Sequence, residues 1–469
     1  MLQWLTSGVA VTALLAGFAW TQAPAARSLA ITSVNVIDVS ARTPATALLT
    51  DRTVVITGNR ITAIGDARRI AVPARAQRLD GRGKYLMPGM WDMHAHALDE
   101  HEWAFPLFVA NGVTGIREMG TILPYERINE IRQGVADGTI VGPRIGAATA
   151  RVLDGVGGRG GPVTPVAGGD EGRRLVREYK QNGIDFIKPY NLLARDAYLA
   201  IIDEARRQGL PVSGHVPLSM SAAEASDVGQ IGIEHMWDVL LSSSRDETTL
   251  RQERLALAKS ATVGVFPQIE SKAAATYDER RASALFDRFV NNRTAVIPTM
   301  VVFEVMLKST GDLASDERLK YVPQPTRERW QKQVAQRPDG LAQVQAPMQQ
   351  KRLEIIKSMH EHGVQLLTGT DLLNPYLFPG FSLHDELDWL TKAGLPPFDV
   401  LRIATINATR FLGRENDLGS IREGQVADGI LLDANPLQDV RNARRIAAVI
   451  ADGRVHDRAS LDAMLAKVH

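Results

Sequence analysis

Residues 85–96 read YLMPGMWDMHAH, an apolar run that ends in two histidines spaced two apart. In an extended strand residues i and i+2 point to the same side, so His94 and His96 can share one ligand. Working outward from this stretch, short apolar runs recur along the chain. They are VTGI (113–116), RIGA (144–147), DFIK (185–188), PVSG (211–214), IGIE (231–234), AVIP (295–298) and QLLT (365–368), which with 85–91 makes eight. Helical patterns such as DAYLAIIDEARRQ (196–208) fall between several of them. Repeated β–α units imply parallel strands, and eight of them with no wide polar break predict an α/β protein built on a (β/α)8 TIM barrel over residues 85–413. The long connections 245–259 and 341–362 have helical character and are expected to lie over the barrel mouth.

The two ends of the chain have a different texture. LAITSVNVIDV (29–39) alternates apolar and polar residues, and TVVI (53–56), a Gly58-Asn59 turn and RITAIG (60–65) read as a hairpin. GILLD (429–433) and RIAAVI (445–450), followed by Asp452-Gly453, look alike at the far end. Neither end is long enough to bury a good core alone, so one small β-sandwich domain formed from both termini is expected, 27–84 as its first part and 414–469 as its second. Ahead of it, LTSGVAVTALLAGFAW (5–20) carries no charge and is followed by the small residues APAA (23–26). This resembles the apolar region and cleavage site of a secretory signal peptide, although no Lys or Arg precedes it. The run falls short of the ~20 apolar residues of a membrane span. Residues 1–26 are therefore expected to be a cleaved signal peptide, giving a periplasmic or secreted protein with no stable membrane span; a retained N-terminal anchor is the alternative.

Composition narrows the chemistry. The 469 residues include no cysteine, so disulfides, thiolate nucleophiles and iron–sulfur ligation are excluded. With 54 Lys+Arg against 53 Asp+Glu, the net charge of +1 supplies no general attraction to nucleic acid, and none is expected as a partner. Nothing in the sequence marks a symmetric interface, so an oligomer is left open.

The ten histidines include two H-x-H pairs, His94/His96 and His360/His362. The second ends a helical run, KRLEIIKSMHEHG, where i and i+2 diverge, and it reads as charged residues at a helix C-terminus. Four further residues close a barrel run: Lys188, His215, His235 and Asp371. In a barrel those C-terminal ends converge on one mouth, and imidazole with carboxylate suits zinc and similar divalent ions. A lysine there makes sense if its neutral amine has reacted with carbon dioxide, because the carbamate is an anionic, two-oxygen metal bridge.

The stretches MPGMWDMHAH (87–96), GVTGIREMG (112–120), FIKPY (186–190), SGHV (213–216), GIEHM (232–236), LLTGTD (366–371), 382–413 and 419–440 together resemble the amidohydrolase superfamily. The likeness is to the metal-dependent group of imidazolonepropionase-like proteins and Xaa-Pro or Xaa-Arg dipeptidases. It implies two divalent metals, usually Zn2+, bridged by N6-carboxylysine at Lys188, with His94, His96 and Asp371 completing one site and His215 and His235 the other. A metal-bridging hydroxide would be the nucleophile and Asp371 the catalytic acid–base. The expected reaction is hydrolysis of an amide or peptide-like C–N bond in a small molecule, dipeptidase or carboxypeptidase-like. Alternatives are another N-acyl, cyclic amide or lactone substrate, or a non-catalytic barrel scaffold. Asp428-Gly429 departs from the resemblance, where two apolar residues are usual.

Arg151, Tyr190 and His384 come from strand-end or loop regions and are expected to contact substrate, an Arg being suited to a substrate carboxylate. His384 and Glu386, in the helical 382–394 stretch, are also candidates to support the metal ligands from behind. Residues 155–160 contain G-x-G-x-x-G, but a Pro/Gly-rich run follows instead of a helix, so the segment reads as a βα loop at the mouth, without a dinucleotide.

Overall fold

The computed structural model describes residues 28–157, 162–260, 265–338 and 340–466. The expected signal peptide and residues 158–161 of the glycine-rich loop lie outside them.

Both chain ends meet, as expected, but in one hydrogen-bonded sheet of eight strands. The strand order is Arg454–Asp457, Ile446–Ala451, Gly429–Leu432, Tyr85–Pro88, Ser28–Ile37, Leu48–Thr57 and Arg60–Asp66, with Gln77–Asp80 parallel beside Ser28–Ile37. β-Branched and aliphatic residues on one face close a core of their own, including Ile31, Val34, Val54, Ile56, Leu86, Leu431 and Ile450. Register shifts between Ile31 and Val34 and between Val34 and Val36 interrupt the ladder, the local kinks that let such a sheet curve. Asp428, just before the interior strand Gly429–Leu432, is buried, accepts the Asp452 N–H and pairs with Arg144 at 3.4 Å.

The first apolar run proves to be two strands. Tyr85–Pro88 pairs with Ser28–Ile37 and Gly429–Leu432 in the terminal sheet, whereas Met90–Ala95 pairs in parallel with Val113–Glu118. The Pro88-Gly89 step is the break, since Pro has no N–H to continue a ladder.

From Met90 onward the fold is TIM-barrel-like α/β. Met90–Ala95, Val113–Glu118 and Arg144–Ala148 form one parallel sheet; Val212–Gly214, Gln230–Glu234 and Ala295–Ile297 form another. The expected strands at 185–188 and 365–368 are extended segments held by single bridges. Asp185 donates to Ala148 O, Ile187 pairs with Val212, Val296 pairs with Leu366, and Met93 donates to Thr368 O at 2.9 Å. Helices between the segments carry their own stops: Ser221 and Glu224 form a capping box on Ala222–Val228, and left-handed Gly209 ends Arg195–Gln208.

The long connections are helical. Leu341–Glu361 reaches the cavity above the strands through Leu341 and Gln345. The helix expected at 245–259, Glu247–Ser260, contributes no described residue to the cavity lining; it packs against the next helix, Val265–Ala275, which reaches the cavity through Pro267 and Glu270. His360 and His362 sit at the far helix end, facing Asp399 at 3.3 Å and Ser358 O at 2.7 Å.

Candidate metal centre

The strand ends bring His94, His96, Lys188, His215, His235 and Asp371 together. One nitrogen or oxygen from each of His94, His96 and Asp371 lies within 4.8 Å of the others. His94 Nε2 is 3.1 Å from Asp371 Oδ1, and Lys188 Nζ is 3.2 Å and 3.3 Å from Nε2 of His94 and His96. His235 Nε2 stands 3.8 Å from Asp371 Oδ2, and the His215 and His235 ring centroids are 4.9 Å apart.

Two glycines make this approach possible. A Cβ on Gly214 would lie 2.6 Å from Pro189 O and 3.0 Å from Lys188 Cγ, so SGHV admits only Gly beside the lysine. A Cβ on Gly369 would lie 2.8 Å from His94 Cβ. His235, Thr299 and Asp371 have φ of +58°, +49° and +56°. Left-handed non-glycine residues cost of order 1–3 kcal/mol each and gather where surrounding structure holds a functional geometry.

Each imidazole is fixed from behind through Nδ1. The partners are Glu234 Oε2 at 2.7 Å for His94, Gly120 O at 2.8 Å for His96, Asn191 Oδ1 at 2.7 Å for His215 and Thr299 Oγ1 at 2.7 Å for His235. With Nδ1 as donor, Nε2 of each ring keeps its lone pair, and those of His94, His96 and His235 face Asp371, the tautomer a metal ligand needs. Behind His94 lies a buried network: Arg117 donates from Nη2 to Glu234 Oε1 at 2.7 Å, from Nη1 to Ser213 Oγ at 2.8 Å and from Nε to Met93 O at 2.6 Å. Buried Glu118 accepts the N–H groups of Ala97 and Leu98 at 2.7 Å and 3.1 Å and so fixes the loop after His96. Asp92, on the strand of His94, accepts the Thr370 hydroxyl at 2.6 Å and ties that strand to the Asp371 segment.

The electrostatics favour ligand forms. Burial lowers the Lys188 ammonium to about 8 against the attraction of Asp371 and Glu234. Burial also lowers His235, to about 3, and carries His96 and His215 down, helped by neighbouring cations. Burial alone would raise Asp371 and Glu234, but His235 and His94 hold Asp371 well below the usual range, and Arg117 and His94 hold Glu234 at about 2. Burial therefore favours the neutral imidazole at His96, His215 and His235 and brings the Lys188 amine within reach of its free-base form, beside the Asp371 carboxylate. That donor set fits divalent metal ions without rearrangement.

A cavity of about 590 Å³ opens over the cluster, lined by His96, Lys188, His215, His235 and Asp371 at its floor. This is an ordinary size for a small-molecule site, roughly 300–1,000 Å³. Its walls are largely apolar, with Val152, Trp237, Val302, Phe303, Met306 and Leu373 prominent. Val152, Pro162 and Val163 place the flanks of the glycine-rich segment at the mouth, as expected of a βα loop.

Of the three expected substrate contacts, only Tyr190 lines the cavity, its ring 4.2 Å from that of His215. Arg151 and His384 are not among the described lining residues. Arg151 follows the Arg144–Ala148 strand and gives its carbonyl to the Tyr179 hydroxyl at 2.6 Å. His384 lies on the buried face of helix Phe381–Lys392, with Nε2 at 2.9 Å from Asn111 O and burial lowering it to about 4, so it serves packing. Among the described residues, the arginine that lines the cavity is Arg329, paired with Glu100 at 2.8 Å. Sequence reading missed Glu234, Arg117, Asn191 and Thr299. A charged residue within an apolar strand, as in GIRE and IGIE, was the available signal for the first two, whereas the loop polar residues carried none.

Known proteins place this geometry. The chain is 24% identical over 429 residues to ochratoxinase of Aspergillus niger, covering 78% of this chain and 74% of that one. Among solved structures, bottromycin amidohydrolase matches with TM-score 0.71 at 22% identity, over 93% of this chain and 89% of that chain. A Xaa-Pro dipeptidase with methionine bound in its active site matches with TM-score 0.65 at 18% identity, over 92% and 100%. The model of the amidohydrolase family matches residues 85–456, most of the chain, so this protein belongs to the amidohydrolase family and is a hydrolase acting on carbon–nitrogen bonds.

Proposed function

We propose that the protein is a two-metal hydrolase of a small amide or peptide-like substrate. The observation that carries this reading is the set of four imidazoles tied outward at Nδ1, with Nε2 of His94, His96 and His235 turned onto Asp371, Lys188 beside the first two, and the His215 ring packed on that of His235. His94, His96 and Asp371 would hold one ion, His215 and His235 the other, and Lys188, carboxylated by carbon dioxide, would bridge them. Zinc suits these donors. Bound ions would acidify a water and polarise the substrate carbonyl. The same reading takes the eight bridged segments as one (β/α)8 barrel, with the terminal sheet as a small sandwich domain beside it.

The chain's own residues account for the proton. Asp371 is ionised near neutral pH and is held at the cavity floor by Asn374, whose amide donates to Asp371 Oδ2 at 2.5 Å. The water oxygen bonds to the carbonyl carbon, and its proton is accepted by the Asp371 carboxylate. The C–N bond then breaks with its electron pair on nitrogen, and Asp371 returns the proton there, leaving a carboxylic acid and an amine. The apolar walls exclude bulk water and strengthen each of these interactions.

Dipeptidase or carboxypeptidase-like activity is the leading reading, in keeping with the Xaa-Pro dipeptidase likeness. A second reading, another N-acyl or cyclic amide with a bulky apolar group, is supported by the apolar wall and by the likeness to ochratoxinase. A panel of dipeptides and N-acyl amino acids, assayed with zinc-loaded protein, separates the two. Loss of hydrolysis with a chelator and its return with zinc are expected; a metal-loaded protein inactive on the whole panel would support a scaffold instead. Export directed by residues 1–26 is proposed alongside, and is tested by the N-terminal sequence of the protein recovered from the cell envelope.

A further inference from the structure

Glu386 is buried with no exposed surface and lies outside the cavity, yet it is bonded to the element that links the metal cluster to the substrate wall. Its Oε2 accepts the Val301 N–H at 3.0 Å, and the Met300 N–H acts on the same carboxyl. These are the first residues of helix Met300–Leu307, whose orphan N–H groups need an acceptor. The residue before the helix, Thr299, is left-handed and its side chain makes no cap of its own, because its Oγ1 is committed to His235 Nδ1 at 2.7 Å. Glu386 supplies the cap that Thr299 does not. The same helix carries Val302, Phe303 and Met306 into the cavity wall. Helix Phe381–Lys392 grips it a second time, where Trp389 Nε1 donates to Glu304 Oε2 at 2.7 Å.

We propose that Glu386 is a positioning residue which, through helix Met300–Leu307, fixes both the His235 imidazole and the apolar wall facing the substrate. The proposal rests on the two-metal reading for its metal readout and on the backbone alone for the rest. An acceptor is what the helix end requires, so Gln, which keeps a carbonyl oxygen in the same place, is expected to substitute and Ala is not.

The test compares Glu386→Gln, Glu386→Ala and Thr299→Val in the full-length protein. Backbone hydrogen exchange of metal-free protein reads the clamp, zinc titration against a competing chelator reads His235, and KM for an apolar-substituted amide reads the wall. Glu386→Ala is expected to speed exchange at Val301–Phe303, weaken the second zinc roughly 10–100-fold and raise KM. Thr299→Val is expected to weaken the second zinc alone, and Glu386→Gln to match wild type throughout. Folded Glu386→Ala with unchanged exchange, zinc affinity and KM would overturn the proposal, and so would Glu386→Gln as damaged as Ala. If Glu386→Ala does not fold, Trp389→Phe, which frees the same helix at Glu304, must raise KM; an unchanged KM there overturns the role of the helix. A wild type that binds no second zinc would instead sink the two-metal reading, and hydrogen exchange would still decide the clamp.

Discussion

Replacing Glu234 by Gln separates what the buried network does for the fold from what it does for the metal site. Glu234 accepts from His94, Arg117 and Ser213 at 2.7–2.8 Å with no exposed surface. Glutamine has the same shape but leaves the buried Arg117 guanidinium without its counter-charge, a loss of about 3–5 kcal/mol. The Glu234 carboxyl is held at about 2 against an ordinary 4.5, and that difference corresponds to about 3 kcal/mol of folding free energy. Because the folded-state value is depressed, this stabilisation is fully present above pH 4.5 and is lost as pH falls toward 2. Urea unfolding of metal-free protein at pH 7 should therefore show Glu234→Gln less stable by about 3 kcal/mol or more, the gap closing in acid. Zinc affinity should fall roughly 10–100-fold as well, because His94 loses its charged orienting partner. Adding Arg117→Met removes the stranded charge, so the double variant should regain most of the stability and none of the zinc affinity. Recovery of both together would refute the reasoning, since the metal defect would then be a by-product of a damaged fold.

Other consequences are direct. Gly214→Ala pushes a methyl against Pro189 O and the Lys188 side chain, and should cost about 1–3 kcal/mol and lower zinc content, read by unfolding and elemental analysis. His384→Ala should leave KM unchanged while lowering stability by about 1–3 kcal/mol, because Asn111 O loses its buried partner; a large KM change would restore His384 as a substrate contact. Burial pushes the Glu386 carboxyl up to about 8, so the folded state holds a proton that the unfolded state releases above 4.5, and stability falls as pH rises from 4.5 toward 8. Glu386→Gln lacks that titration, and its stability relative to wild type should rise by about 3 kcal/mol between pH 4.5 and 7, measured by urea unfolding.

That these six side chains would meet was legible because ligand chemistry restricts residue type and strand ends restrict place. His94, His96, Lys188, His215, His235 and Asp371 satisfy both, and all six line or meet the same cavity floor. Orientation was not legible. His384 and Arg151 are the right kinds of residue near the right elements, but helix Phe381–Lys392 turns His384 into its packing face, and a preceding strand end does not aim Arg151 at the cavity. Periodicity also could not tell a strand of the terminal sheet from a barrel strand when the two follow without a polar break. Only Pro88-Gly89 marked the change from Tyr85–Pro88 to Met90–Ala95. Of the helices reaching the cavity, Leu341–Glu361 was visible as a helix and Val265–Ala275 was not, and the residues each presents depend on packing that no local pattern encodes.

The central claim is that Lys188 joins two metal ions into one hydrolytic site, and metal content measured alongside activity tests it most directly. Zinc-loaded wild type should hold two ions per chain and hydrolyse an amide, losing activity with a chelator and regaining it with zinc. Lys188→Ala should lose most of the metal and the activity, with partial rescue by short carboxylic acids that stand in for the carbamate. Two tightly bound ions and full activity in Lys188→Ala would contradict the account.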